Sequence, residues 1–141
     1  MQPLGYTNLT LGAAFGWNLL DPQLPYDEAA PYSDKNTRKF IVLLTDGAQT
    51  TPEFANGSNR TIKAANDNLT SICNSMNDNK ITVFAIAYSV PKDADKEAVT
   101  NRLKACAPGR YFEPDAGGSE ISKVFQQITS QITTRIARLA R

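Results

Sequence analysis

Histidine is absent from all 141 residues, and that absence restricts the chain's chemistry more than any other feature. It removes the commonest general base and the commonest transition-metal ligand, leaving zinc hydrolysis and Ser-His-Asp catalysis without their central group. No apolar run approaches the roughly 20 residues that span a bilayer. The first residues, Met1-Gln2-Pro3-Leu4-Gly5, lack the basic-then-apolar layout of a signal peptide. Charge of one sign is missing as well: the net charge is +1, and no basic tract is interleaved with aromatics, which sets nucleic-acid binding aside. No glycine-rich loop of the phosphate-cradling kind occurs. Cysteine is limited to Cys73 and Cys106. In a reducing compartment they read as two small buried hydrophobes; in an oxidising one they could close a loop of about 30 residues and stabilise by roughly 3 to 4 kcal/mol.

What is present is an ordinary globular composition, 41% hydrophobic and 21% charged, enough for one core. The chain is organised around Lys39-Phe-Ile-Val-Leu-Leu-Thr-Asp-Gly47. Its apolar run, Phe40 to Leu44, predicts a strand buried on both faces, as in a parallel sheet. Gly47 lets the chain turn sharply off that strand and puts the Asp46 carboxylate at the carboxyl edge of the sheet, where open α/β folds collect ligands. An alternative is that Asp46 merely caps the turn.

Gly5-Tyr6-Thr7-Asn8 is a turn leading into a helix over Leu9 to Leu20, with Thr7 or Asn8 as N-cap. Asp21-Pro22 and Leu24-Pro25 stop it. Residues 21–37 then form a proline-rich loop, long enough to suggest that it lies over something functional. Ala48 to Asn59 is a second polar loop. Ile62, Ala65, Leu69, Ile72, Cys73 and Met76 share one face of a helix within Thr61 to Asn79. Ile81 to Tyr88 is a second buried strand, so strand, helix and strand make a βαβ unit with parallel strands and a right-handed crossover. A short helix over Asp95 to Ala107, an edge strand at Arg110 to Glu113 and a long amphipathic helix from Ser119 to Arg141 complete the chain.

These residues resemble a von Willebrand factor type A domain. The resemblance is carried by Gly5-Tyr6-Thr7-Asn8 before a helix, by a strand ending Leu43-Leu44-Thr45-Asp46-Gly47, by Ile81 to Tyr88 after a helix, and by Tyr111-Phe112 before the terminal helix. Within that superfamily the chain looks most similar to the C-terminal region of TadG-like proteins of bacterial Tad-type pilus systems, on Thr45 to Thr50, Lys104-Ala105-Cys106-Ala107 and Arg110-Tyr111-Phe112. The resemblance implies a Rossmann-like, doubly wound and mainly parallel α/β sheet, here one partial domain over residues 1–141. Its parts are a first loop and helix over 5–20, the proline-rich loop 21–37, a central strand with its Asp-Gly turn over 38–47, helix and strand over 61–88, and the helix, edge strand and terminal helix over 95–141.

The resemblance also implies a metal-ion-dependent adhesion site, a cluster of hard oxygen ligands for magnesium or manganese whose vacant position an acidic group on a protein partner completes. Thr7 and Asp46 match two of its positions, and Asn8, Gly47, Gln49 and Thr50 stand beside them as partner-binding candidates. The family's Asp-x-Ser-x-Ser loop is absent from the chain, so the site is incomplete and metal binding by these residues alone is expected to be weak or absent. The chain then corresponds to the C-terminal side of a larger domain, missing the opening strands, and its exposed sheet edge implies self-association or pairing with another chain. The implied function is a non-catalytic binding or assembly module of the bacterial cell envelope, outside the cytoplasm, without a membrane span of its own. That setting favours a Cys73–Cys106 disulfide between helices lying side by side. Two alternatives stand: a magnesium-dependent phosphohydrolase using Asp46, and a purely architectural scaffold without metal. The Asn-x-Ser/Thr triplets at Asn8, Asn56, Asn59 and Asn68 would be glycan acceptors in a eukaryotic secreted protein; in the bacterial setting that the resemblance implies, chance in an asparagine-rich chain explains them.

Overall fold

A computed structural model of the chain describes residues 7–47, 50, 61–90, 96–115 and 118–137. In chain order the elements are α1 (Leu9–Leu20), β1 (Phe40–Thr45), α2 (Ile62–Asp78), β2 (Thr82–Ala87), α3 (Lys96–Cys106), β3 (Tyr111–Phe112) and α4 (Gly118–Ala137). The strands form one sheet in the order β1-β2-β3, parallel throughout, with Phe40 opposite Thr82 and Ala85 opposite Tyr111. The parallel βαβ expectation therefore holds, and the architecture is a small Rossmann-like α/β fold. None of the described helices is long and apolar enough to cross a membrane.

β2 is the strand buried on both faces. Its alternate side chains Val83, Ala85 and Ala87 enter a core with Ala13 of α1, Leu69 and Met76 of α2, and Val99 and Leu103 of α3. Phe84 and Ile86 enter a second core with Val124 and Ile128 of α4, joined by Phe40 and Phe112. Alternation across a pleated strand produces this division. Phe40 and Phe84 stack at 6.5 Å between ring centroids.

The expectation of a central, doubly buried strand at Phe40–Leu44 is corrected. β1 lies at the edge of the described sheet. Leu43 is buried beneath α1, but Val42 and Leu44, on the opposite face, are 37% and 45% exposed. An apolar run records that its side chains prefer to be buried; it cannot record whether a neighbour is there to bury them.

Helix ends are closed locally. The Asn8 side chain accepts from Leu11 N–H, and the Thr61 hydroxyl from Ala64 N–H, satisfying donors that have no partner inside the helix. α2 ends in a Schellman motif: Ile81 N–H donates to Met76 C=O and Lys80 N–H to Asn77 C=O, which holds Lys80 at φ 62°. α1 has no cation in its last turn. Lys39, just before β1, supplies one by donating its ammonium to Leu20 C=O, with the Tyr32 ring 4.2 Å beneath it. Burial holds the Lys39 pKa below the usual lysine value, against the opposing charge of Asp21.

Cys73 of α2 and Cys106 of α3 are joined in a disulfide, with Cα atoms 4.9 Å apart. Spacing left both cysteine states open; the resemblance favoured the bridge, and the βαβα order brings the two helices together.

Candidate functional site

The carboxyl end of β1 gathers the residues singled out in the sequence. Thr45, the last strand residue, is buried, and its hydroxyl reaches around the following turn: it donates to Gly47 C=O at 2.9 Å and accepts from Gly47 N–H at 3.3 Å. This double contact fixes the turn that presents Asp46, whose side chain is exposed. Sequence reading did not assign Thr45 a role. The available signal was its position, since a hydroxyl at the first residue of a Thr-Asp-Gly turn can reach the backbone two residues on.

Thr7 lies at the same end. A Cβ placed on Gly47 would come 4.0 Å from the Thr7 Oγ1, so that hydroxyl sits one residue from Asp46. Thr50 ties the two segments together: Thr7 N–H donates to the Thr50 hydroxyl at 2.7 Å, and Thr50 N–H donates to Thr7 C=O at 3.0 Å. The start of α1 is thereby fastened to the loop leaving β1. Asn8 is half-buried, with its side-chain oxygen engaged in capping α1. Gly47 lines the gap facing Thr7, while Thr50 is exposed. Gln49 lies outside the described residues, as does most of the polar loop read at Ala48 to Asn59.

The donor set decides what these groups can hold. Thr45 Oγ1 is engaged with Gly47 and Thr50 Oγ1 accepts from Thr7, which leaves the Thr7 hydroxyl and the exposed Asp46 carboxylate as the oxygen donors this end offers. Among the described residues, no group of three or more His, Cys, Asp or Glu side chains is placed to hold a metal. Magnesium requires an octahedron of oxygens. Two protein oxygens do not fit a self-contained cation site, and the remaining ligands would have to be water or groups from outside these residues.

The proline-rich loop lies elsewhere. Tyr32 accepts from Trp17 Nε1–H and donates to Asp21, each at 3.1 Å, beside Lys39 at the amino end of β1. Burial is the main cause that raises the Tyr32 pKa. The loop thus packs the end of the domain opposite Asp46, because α1 runs antiparallel to β1 and the chain leaving α1 emerges where β1 begins. The loop whose length suggested that it lies over something functional is thus at the end away from the Asp46 turn. A shallow groove of about 270 Å³ lined by Tyr32, Ser33, Asp78, Asn79 and Lys80 lies beside it.

No family model and no curated protein matches the chain. Among solved structures, the crystal structure of the pilus adhesin SpaC from Lactobacillus rhamnosus GG is similar over 96% of this chain, with a TM-score of 0.59 and 17% sequence identity. The chain spans 20% of that adhesin's length. At that identity the likeness speaks to the fold.

Proposed function

We propose that the chain is a non-catalytic protein-binding module of a pilus or related cell-surface assembly, and that the end of β1 carrying Thr7, Asp46, Gly47 and Thr50 is its binding end. One observation carries the reading: two segments 39 to 43 residues apart in sequence are fastened together by the Thr7–Thr50 hydrogen bonds, so that the Thr7 hydroxyl lies beside Gly47, next in sequence to the exposed Asp46, at the carboxyl edge of a parallel sheet. Open α/β folds bind ligands at that edge. The von Willebrand factor A resemblance and the fold likeness to a pilus adhesin support the same setting; the TadG-like subfamily and an envelope location outside the cytoplasm belong to this proposal.

In this reading Asp46 and Thr7 contribute two ligands of an incomplete adhesion site. A magnesium or manganese ion is held weakly or not at all until outside oxygens, including an acidic group of the partner, complete its shell. Catalysis is no part of the proposal. Asp46 is followed by Gly47, Ala48 and Gln49 rather than by a second acid, and a phosphoryl-transfer site needs more charge than one carboxylate to hold its metal and nucleophile.

Calorimetric titration with magnesium or manganese, alone and with an aspartate-containing peptide present, tests the binding end. The expected result is little heat from metal alone, and metal-dependent peptide binding that disappears in Asp46→Ala. Equal binding by the parent chain and by Asp46→Ala would remove the site. Turnover of a generic phosphomonoester that vanishes in Asp46→Asn would replace the binding module by an enzyme.

A further inference from the structure

The β3 side of the sheet holds a cation whose needs the fold leaves unmet. Arg110 C=O accepts from Ala85 N–H at 3.0 Å, which joins Arg110 to β2 just ahead of β3. Side chains alternate along an extended chain. Tyr111 packs with the core shared by α2 and α3, and Phe112 with the core beneath α4, so Arg110 turns to the α4 side with Phe112. Ile128 and Ile132 of α4 belong to that same core. Arg135, three residues beyond Ile132 and seven beyond Ile128, continues their stripe, given about 100° per residue. The two arginines therefore converge where the last turn of α4 passes the amino end of β3.

Arg110 is half-buried and oriented by its own turn. Its Nη1 donates to Pro108 C=O at 2.8 Å and its Nε is buried without an acceptor, which leaves Nη2 open to an outside group. Guanidinium groups drawn into a fold ordinarily have a carboxylate against them. Among the described residues, ion pairs join Lys63 to Asp67, Lys96 to Glu113 and Lys123 to Glu120. Neither arginine takes part. The charge that Arg110 feels is that of Arg135, which after burial is the second cause lowering its pKa. Two like charges held together cost the folded chain stability, and an anion between them reverses the sign of that interaction. Because water does not reach Nε, the positive charge there is poorly screened and acts more strongly on an anion at Nη2.

Charge and oxygen count select the anion. One carboxylate brings a single charge and two oxygens, which one guanidinium satisfies. A phosphoryl group at neutral pH brings about −1.5 to −2 and three acceptor oxygens, enough for two guanidinium groups at once. A purely structural account makes Arg135 the cation of the last turn of α4. That account needs only a positive charge there, and it leaves Arg110 without an anion. We propose that Arg110 and Arg135 form a binding site for a phosphoryl group, either inorganic phosphate or the monoester of a larger molecule, between the amino end of β3 and the last turn of α4. The Pro108 bond stays in place when the group binds. The site lies two strands away from Asp46 and requires nothing of it.

The guanidinium carbon resonances of Arg110 and Arg135 in the isotope-labelled chain read the site directly. Inorganic phosphate is titrated at about pH 7.5, where it is largely the dianion, with chloride holding the ionic strength constant. Both resonances are expected to shift along one saturable curve with half-saturation at about 1 mM or below, and acetate to need at least about tenfold more. Arg135→Lys keeps the charge at the end of α4 but lacks the planar fork. It should raise the half-saturation about tenfold, and because Arg135 is exposed the fold is kept. Glycerol phosphate separates the sources: binding as tight as inorganic phosphate or tighter marks a phosphate-bearing molecule, and weaker binding marks the free ion. No saturation by about 10 mM phosphate, an equal response to acetate, or an Arg135→Lys curve that overlays the parent's overturns the proposal. Asp46→Ala should titrate like the parent, so failure of this site and failure of the Thr7–Asp46 end are told apart.

Discussion

Breaking the Cys73–Cys106 bridge should be the most damaging covalent change that leaves the rest of the chain intact. The bridge links positions 33 residues apart, and loop-closure entropy for a span of that size destabilises the unfolded state by about 3 to 4 kcal/mol. Both cysteines are almost fully buried between α2 and α3, at 2% and 1% exposure, so their sulfurs also fill core volume. Reduction should remove the cross-link and keep that volume; Cys73→Ala with Cys106→Ala should remove both, adding about 1 to 2 kcal/mol for the space left behind. Guanidinium unfolding followed by circular dichroism should therefore rank oxidised above reduced chain by about 3 to 4 kcal/mol, and reduced chain above the double variant by the smaller step. The dependence on denaturant should steepen on reduction, since an uncrosslinked unfolded chain exposes more surface. Against a total of about 5 to 15 kcal/mol for a typical domain, the oxidation state alone decides a large share of stability. Oxidised and reduced chains differing by less than about 1 kcal/mol would refute the cross-link account.

Three further outcomes are expected. Lys80→Gly should raise stability by about 1 kcal/mol in the same unfolding assay, because the Schellman motif holds Lys80 at a positive φ of 62° that glycine adopts without a Cβ penalty. Glu113 has its pKa held below the usual glutamate value, first by its hydrogen bond with Lys96 and then by that with Tyr111. A carboxylate depressed in the folded state contributes stability above its unfolded pKa and loses it as pH falls through the lower folded value; unfolding midpoints of Glu113→Gln should accordingly fall less steeply than those of the parent chain on acidification below about pH 4.5. Thr45→Val should cost about 1 to 2 kcal/mol by stripping both Gly47 backbone contacts, and should speed hydrogen exchange at Thr50 N–H, whereas Thr45→Ser should retain both properties.

Much of the frame was legible in the residues. α1 was placed over Leu9 to Leu20 with Asn8 among two N-cap candidates, and the observed α2 and β2 lie inside the predicted spans by a residue at each end. Periodicity suffices there because each element's apolar face has a neighbour. It failed at β1, where an unbroken run of five apolar residues looked doubly buried although Val42 and Leu44 are 37% and 45% exposed. The end of α2 was also opaque, since lysine rather than glycine fills the left-handed position. At the candidate site, Thr7 and Asp46 could be paired only through resemblance; no spacing rule links residues so far apart. The hydrogen bonds of Thr50 to Thr7 join them physically.

The two ends of β1 are stabilised by different means, and the difference bears on where function can reside. At the amino end, a buried ammonium from Lys39 closes α1 and rests on Tyr32, whose hydroxyl is itself bound by Trp17 and Asp21. Each group in that cluster has a partner within the fold, and moving any one of them leaves a desolvated polar atom behind. At the carboxyl end the interior contacts stop at Thr45 and Thr7. They fix the backbone and leave the Asp46 carboxylate exposed. A folded chain can give up an ionic group to an outside ligand without disturbing its core only where that group carries no internal load. By this criterion the carboxyl end of β1 can take on a partner, while the aromatic and lysine cluster at the other end serves the fold.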